Sequence, residues 1–335
     1  MAPLPLARLA VYNRPFSYVG VDYFGPLLVK QGRSNVKRWI ALFTCLTVRA
    51  VHLEMVHSLT TASCISCIRR FVCRLGSPVE FFSDNATNFH GAERILREQI
   101  NNGIQATFTN SNTKWTFIPP GAPHMGGAWE RLVRSVKTAM GDAYTEGKLN
   151  DEELQTFIEE AESIVNTRPL TYLPIESIES EALTPNHFLL GSSNGVKLPG
   201  IDIVQGTSQD AWNHIQRQLN RFWQRWLKEY LPVIRRQIKW FDETRNVQVG
   251  DVVLIADETK RNRWIRGRVI DSIKAQDGHV RQAIVKTSGG VLRRPVSKLA
   301  VIDVGISAAS EANRPHPGEN VSADTSIERS DNPEP

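Results

Sequence analysis

Cysteine is scarce: four in 335 residues, Cys45, Cys64, Cys67 and Cys73, all in the first quarter. That excludes a disulfide-stapled scaffold. It leaves a zinc site poorly supported, because the single Cys64-x-x-Cys67 has neither a second CxxC nor paired histidines to complete four ligands. The pair lies in TTASCISCIRRFVCRLG, where Ile65, Ile68, Phe71, Val72 and Leu75 mark a helix, so buried thiols in a reducing compartment are expected. Long apolar runs are absent too. None approaches the roughly 20 residues of a membrane span, and the opening MAPLPLARLA lacks the apolar segment of a signal peptide. The expectation is a soluble intracellular protein with no membrane partner. No repeat of roughly 20–50 residues appears. What the chain does have is length and 41% hydrophobic content, enough for two domains with buried cores.

Acid is short in one region. Residues 211–300 carry 19 Lys and Arg against 8 Asp and Glu, or +11, whereas residues 301–335 carry 2 against 7, or −5. With a chain total of +5, residues 1–210 stand at −1. Basic charge gathered in one region is what a surface that meets polyanions requires. The tail, SAASEANRPHPGENVSADTS in part, has almost no bulky apolar residues and is expected to be disordered.

Two runs rich in Val, Ile, Leu and aromatics, RPFSYVGVDYFGPLLVK and RWIALFTCLTVRAVHLEMV, flank QGRSN and predict a hairpin of long strands with VHLEMV as a third. The cysteine-bearing helix follows, then a short strand ending near Asp84, a helix GAERILREQI, a strand KWTFIPP and a helix around Glu130. Three antiparallel strands followed by alternating helix and strand predict a mixed α/β sheet covered by helices. DEELQTFIEEAESIVN predicts an amphipathic helix that ends before Pro169. Residues 209–230 predict another, with Trp212, Ile215, Leu219, Phe222, Trp223 and Trp226 interleaved with arginines; such a face can stack on nucleic acid or pack on a neighbouring domain. Beyond it, VQVGDVVLIADE, RWIRGRVIDSIK, VRQAIVKTSG and VLRRPVSKLAVI alternate between turn signals and predict a small antiparallel barrel.

Three acids stand out. Glu130 shares a helix face with Arg134 and Lys137, opposite Trp129, Leu132, Val133, Val136 and Met140. An ordinary Glu130–Arg134 surface pair explains that pattern; so does a face left free for a ligand. Asp22 lies mid-strand, where a charge needs a partner. Asp84 lies at a strand end, where α/β sheets present ligands, although its side chain also suits capping the following turn. Together they suggest a carboxylate cluster that suits hard cations such as magnesium or manganese.

The segments VDYFGP, SDNATNF and PPGAPHMGGAWERLVRSVK resemble the catalytic core of retroviral-type integrases, and most closely the Pao/BEL class of LTR retrotransposons, over about residues 12–190. The resemblance implies an RNase H-like core in which Asp22, Asp84 and Glu130 are the catalytic residues and hold two Mg2+ or Mn2+ ions. It also matches the family's glycine to Gly127 and its DNA-contacting lysines to Arg134 and Lys137. Two departures stand beside it: the 45 residues between Asp84 and Glu130 exceed the retroviral spacing, with NNGIQATFTNSNTK the evident insertion, and nothing supplies the zinc domain that usually precedes such a core. The chain therefore looks like a fragment that begins at the core boundary.

The expected organisation is a catalytic core over 12–190, a helical connection over 191–247, an SH3-like β-barrel over 248–302 and an acidic tail over 303–335. Arg261, Arg263, Arg266 and Arg268 lie close enough together in sequence to track a DNA backbone. The implied activity is metal-dependent trimming of element 3′ ends and their transfer into target DNA, with double-stranded DNA and further copies of the chain as partners, chromatin as a partner of the barrel, and the nucleus as location. The alternatives are a catalytically silent DNA- or chromatin-binding derivative of such an element, and an RNase H-type nuclease that cannot join strands. The glycine pair Gly126-Gly127 is expected to give the Glu130 segment a movable loop.

Overall fold

The computed structural model describes residues 6–10, 13–84, 86–101, 113–118, 123–144, 149–170, 182–193, 210–234, 246–256, 264–275 and 278–303. Within these, only the backbone is described for residues 6, 96–101, 123–131, 210–211, 232–234, 256 and 302–303. After a short helix α1 (Leu6–Leu9), the first sheet begins with β1 (Tyr18–Gln31), β2 (Ser34–Cys45) and β3 (Val51–Val56). The β1–β2 loop has two residues, with Gly32 first at φ 60°, the positive value that matches a hairpin's twist. Gly25 (φ 125°) sits in the register shift between Phe24 and Leu27, and a Cβ there would meet the Arg38 carbonyl at 3.0 Å.

Helix α2 (Thr61–Leu75), strand β4 (Glu80–Ser83), helix α3 (Thr87–Asn101), strand β5 (Lys114–Phe117) and helix α4 (Pro123–Ala143) follow. The sheet order is β3-β2-β1-β4-β5, antiparallel across the first three strands and parallel from β1 to β5. This is the RNase H-like mixed sheet. Its two faces are sorted by strand alternation. Val19, Val21, Ala41, Phe43 and Cys45 pack with Cys64, Cys67, Ile68, Phe71 and Val72 of α2 and Phe89 of α3. Val29, Ile40, Leu42, Val51 and Leu53 face the other way and join Val133, Val136 and Met140 of α4.

Helix α5 (Asp151–Asn166) starts with a reciprocal capping box between Asn150 and Glu153. It covers the sheet edge: Asn166 accepts from Val51 N and donates to Val51 O, and Glu162 accepts from Leu53 N. An otherwise open strand is thereby closed to foreign pairing. Arg38 on β2 anchors the helix start through two bonds of 2.8 Å to Asp151. Helix α6 (Pro185–Leu190) and the long α7 (Asp210–Ile234) come next.

The second sheet contains β6 (Val252–Ala256), β7 (Trp264–Lys274), β8 (Val280–Thr287), β9 (Gly290–Pro295) and β10 (Leu299–Asp303), in the order β10-β6-β7-β8-β9 and antiparallel throughout. Four expected runs thus yield five strands, because a 3-10 turn at Val296–Lys298 breaks VLRRPVSKLAVI and returns its second half to β6. The small β domain expected after the core is therefore a five-stranded antiparallel sheet. No helix among the described residues is long and apolar enough to cross a membrane. The acidic tail beyond residue 303 lies outside the described residues.

Candidate active site

Strand β1 passes through the middle of the first sheet and carries Asp22 on the face that α4 covers. Val21 pairs in register with Ser83 of the parallel strand β4, so the next step along both strands brings Asp22 alongside Asp84, just past the C-terminal end of β4. Ligand sites in α/β sheets form at such strand ends. Helix α4, reached after β5, runs against β1 and is clasped to it: Tyr144 donates to the Leu28 carbonyl at 2.6 Å, and Lys30 N donates to Leu149 O at 2.9 Å.

The helix therefore meets Asp22 directly. Lys137 Nζ lies 2.7 Å from Asp22 Oδ2, with side chains 32% and 31% exposed. The strand acid has the partner that its setting demands. At that exposure the pair contributes roughly 0–1 kcal/mol to stability. Lys137, expected beside Arg134 on a face free for DNA, is about one-third exposed in this structure and reaches Asp22. Arg134, almost one turn earlier, is exposed and forms no ion pair among the described residues.

Asp84 is exposed, and its Oδ1 accepts from Ala86 N at 3.1 Å, leading into α3. The turn-capping role is thus present, and among the described residues it engages Oδ1. Glu130 lies on α4 two turns before Lys137, hence on the same side of the helix; its side chain, like that of Trp129, lies outside the described residues. The movable glycine loop is corrected: Gly126 and Gly127 are inside α4, whose helical geometry begins at Pro123. Proline at a helix start is already shaped for it and lacks an N–H that would go unpaired there.

Among the described residues, no group of three or more His, Cys, Asp or Glu side chains is placed to hold a metal ion. The donor set of Asp22 and Asp84 still suits a hard dication: two acids at neighbouring strand positions, which among the described residues meet one lysine and one backbone N–H. Sequence reasoning quoted Asn88 in SDNATNF without singling it out. Its side chain is 7% exposed, and Nδ2 donates to no partner among the described residues. Such a buried amide, four residues after Asp84 in the chain, suits a water or a ligand oxygen.

The other face of β1 excludes thiolate chemistry. Burial raises the Tyr23 phenol, which bonds to Cys64 and Cys67, and pushes Cys64 up to about 11 and Cys67 higher still. These are protonated, inert thiols. Cys45 is also buried, as expected, but Cys73 is exposed, because it falls on the outer side of α2.

In the second sheet the expected basic track is altered. Arg261 and Arg263 lie outside the described residues; of the other two, Arg266 is 9% exposed and Arg268 is at the surface. Burial lowers the Arg266 pKa and withdraws that side chain from a duplex. Cross-strand register supplies another base: Arg268 stands directly opposite Lys286, both exposed. Like charges opposite one another weaken a sheet unless an anion offsets them. Lys274, Arg293 and Arg294 are exposed on the same sheet. Sequence reading missed Lys286 because pairing between strands is invisible in one strand's pattern.

Residues 210–302 match a family of unknown function (DUF5641), a span that runs from α7 through β10 almost to its end. No curated protein matches the chain. Similar solved structures include a simian T-cell lymphotropic virus intasome in complex with PP2A regulatory subunit B56 gamma, at 12% identity and TM-score 0.38, covering 87% of this chain and 80% of that one. Two forms of the HTLV-2 integrase catalytic core domain in complex with magnesium, dimeric and trimeric, are each 15% identical at TM-score 0.32. They cover 46% and 48% of this chain and 88% and 90% of theirs. Likenesses this loose assign neither ligand nor activity to this chain.

Proposed function

We propose that the chain is the catalytic part of a retrotransposon integrase, of Pao/BEL type, which trims the 3′ ends of element DNA and joins them to target DNA. The observation that carries this reading is the placement of Asp22 and Asp84 side by side at a parallel strand end, under the helix that bears Glu130. Asp22, Asp84 and Glu130 would hold two Mg2+ or Mn2+ ions, which when bound supply activation of an oxygen nucleophile and stabilisation of the leaving oxygen. Asp22 is fixed by a central strand and Asp84 by its turn bond to Ala86, so both approach a phosphodiester from rigid positions. Arg134 meets a nearby phosphate from the exposed side of α4, and Arg268 with Lys286 holds duplex DNA further away. Self-association, a nuclear location and chromatin as a partner of the second sheet belong to the same reading.

The test is joining of labelled element-end duplexes to a target plasmid in magnesium. Asp22→Asn, Asp84→Asn and Glu130→Gln should each abolish trimming and joining with an unchanged circular dichroism spectrum. A Glu130→Gln protein that joins normally would remove the central claim. Tight duplex binding without cleavage or joining by the unaltered chain would point to the silent DNA-binding derivative instead, and cleavage without joining to a nuclease.

A further inference from the structure

Lys137 of α4 and Asp22 of β1 form an ion pair of 2.7 Å. Asp22 lies on β1 beneath α4, and Lys137 Nζ is its only side-chain partner among the described residues. An ammonium at hydrogen-bond distance occupies the space that a dication, with ligand distances of about 2.0–2.1 Å for magnesium, would need on the same oxygen. Two cations cannot share that oxygen without strong repulsion at this separation. Yet the lysine is not locked in: its side chain is about one-third exposed on a flexible four-carbon stem. Arg134, on the same helix, is already directed to solvent.

We infer that Lys137 is an internal counter-cation for Asp22, which a divalent ion must displace and which, once displaced, becomes a phosphate ligand for DNA. The inference rests on the proposed function and adds to it a coupling between metal and DNA. The ammonium would hold Asp22 in position while no metal is present, so the strand acid is never left uncompensated. Metal entry returns that positive charge to the surface beside Arg134, where two bases then face the phosphate that arrives at the site. Linkage requires reciprocity: DNA that draws Lys137 away must favour metal on Asp22 by the same factor. Lys137 is a positioning residue in this account, because it acts through Asp22.

The experiment is Mn2+ titration of the full chain followed by electron paramagnetic resonance, with Lys137→Gln, Lys137→Arg and Asp22→Asn alongside. Lys137→Gln should bind Mn2+ on the order of tenfold more tightly than the unaltered chain, within the usual range for coupled sites. Lys137→Arg, which keeps the charge, should remain close to the unaltered chain, and Asp22→Asn should bind most weakly. A short duplex titrated by fluorescence anisotropy supplies the second arm, in which Mn2+ should improve DNA affinity more for the unaltered chain than for Lys137→Gln. Equal Mn2+ affinity in the unaltered chain and Lys137→Gln, both above Asp22→Asn, would overturn the displacement and leave the proposed function standing. Mn2+ binding that does not depend on Asp22 in any of these proteins would take both down.

Discussion

His52 on β3 offers a stability test whose size follows from geometry. Its Nδ1 lies 3.0 Å from Glu162 and its Nε2 3.3 Å from Glu54, and Glu54 also receives Arg70 and Arg74 at 2.8 and 3.0 Å. Burial, the largest single influence, pushes the imidazole pKa down, but the bonds and charges of Glu162 and Glu54 together outweigh it and lift it to about 9 from 6.5. A raised folded-state pKa means that this contribution is fully present below pH 6.5 and is lost as pH rises to about 9. At about 1.4 kcal/mol per pH unit, the loss comes to about 3 kcal/mol, a large share of a domain's usual 5–15 kcal/mol or so. Urea unfolding between pH 6.5 and 9 should show that decline. His52→Phe, which fits between Phe43 and Phe71 at ring distances of 6.1 and 5.8 Å, should flatten it. The raised Cys64 thiol adds an alkaline loss common to both proteins, so their difference isolates the histidine. An equal decline in His52→Phe, or rising stability over this range in the unaltered chain, would refute the reasoning. Joining assays at pH 9 would then need this correction, since β3 pairs with β2, and β2 with the strand that carries Asp22.

Replacing Arg268 and Lys286 with alanine should reduce the salt slope of duplex binding by about two, one for each phosphate contact, while urea stability holds or rises as their mutual repulsion disappears. An unchanged slope would assign the pair to some other partner. Asn150→Ala removes the side-chain half of the capping box, the bond from Glu153 N to Asn150 Oδ1, and should lower urea stability by about 1 kcal/mol.

The strands and helices were legible where one local signal sufficed. Period-two alternation with Gly32 marked the β1–β2 hairpin, and the acidic first turn of Asp151, Glu152 and Glu153 marked α5. Asp22 and Asp84 stood out because a strand acid and a strand-end acid are conspicuous in apolar surroundings. What escaped were contacts across the chain. The need of Asp22 for a partner was evident, but that Lys137 supplies it depends on how α4 seats on β1, 115 residues away. Gly126 and Gly127 suggested a loop because glycine weakens helices on average, whereas Pro123 and the apolar stripe of Val133, Val136 and Met140 fix the helix by its start and its packing. Arg266 looked like its neighbours in sequence, and only the seating of β7 against the rest of the protein buries it.

Helix α7 turns these separate pieces into one device. Its aromatic face, which stacking on nucleic acid would require at the surface, is instead buried: Phe222, Trp223 and Trp226 are at most 1% exposed. Trp223 and Tyr230 meet Trp264 of β7 edge-on at 5.6 and 6.1 Å. Val252 and Leu254 of β6 and Ala300 of β10 belong to the same apolar cluster as Val133 and Met140 of α4. Arg225 reaches back to Asp142 on α4 at 2.9 Å. The helix that holds Lys137 over Asp22 and the sheet that pairs Arg268 with Lys286 are therefore packed on a single apolar core. Under the proposed function, DNA held by the second sheet approaches Asp22 and Asp84 in a set register, because the distance between the two contact regions is fixed by α7 and not by a linker.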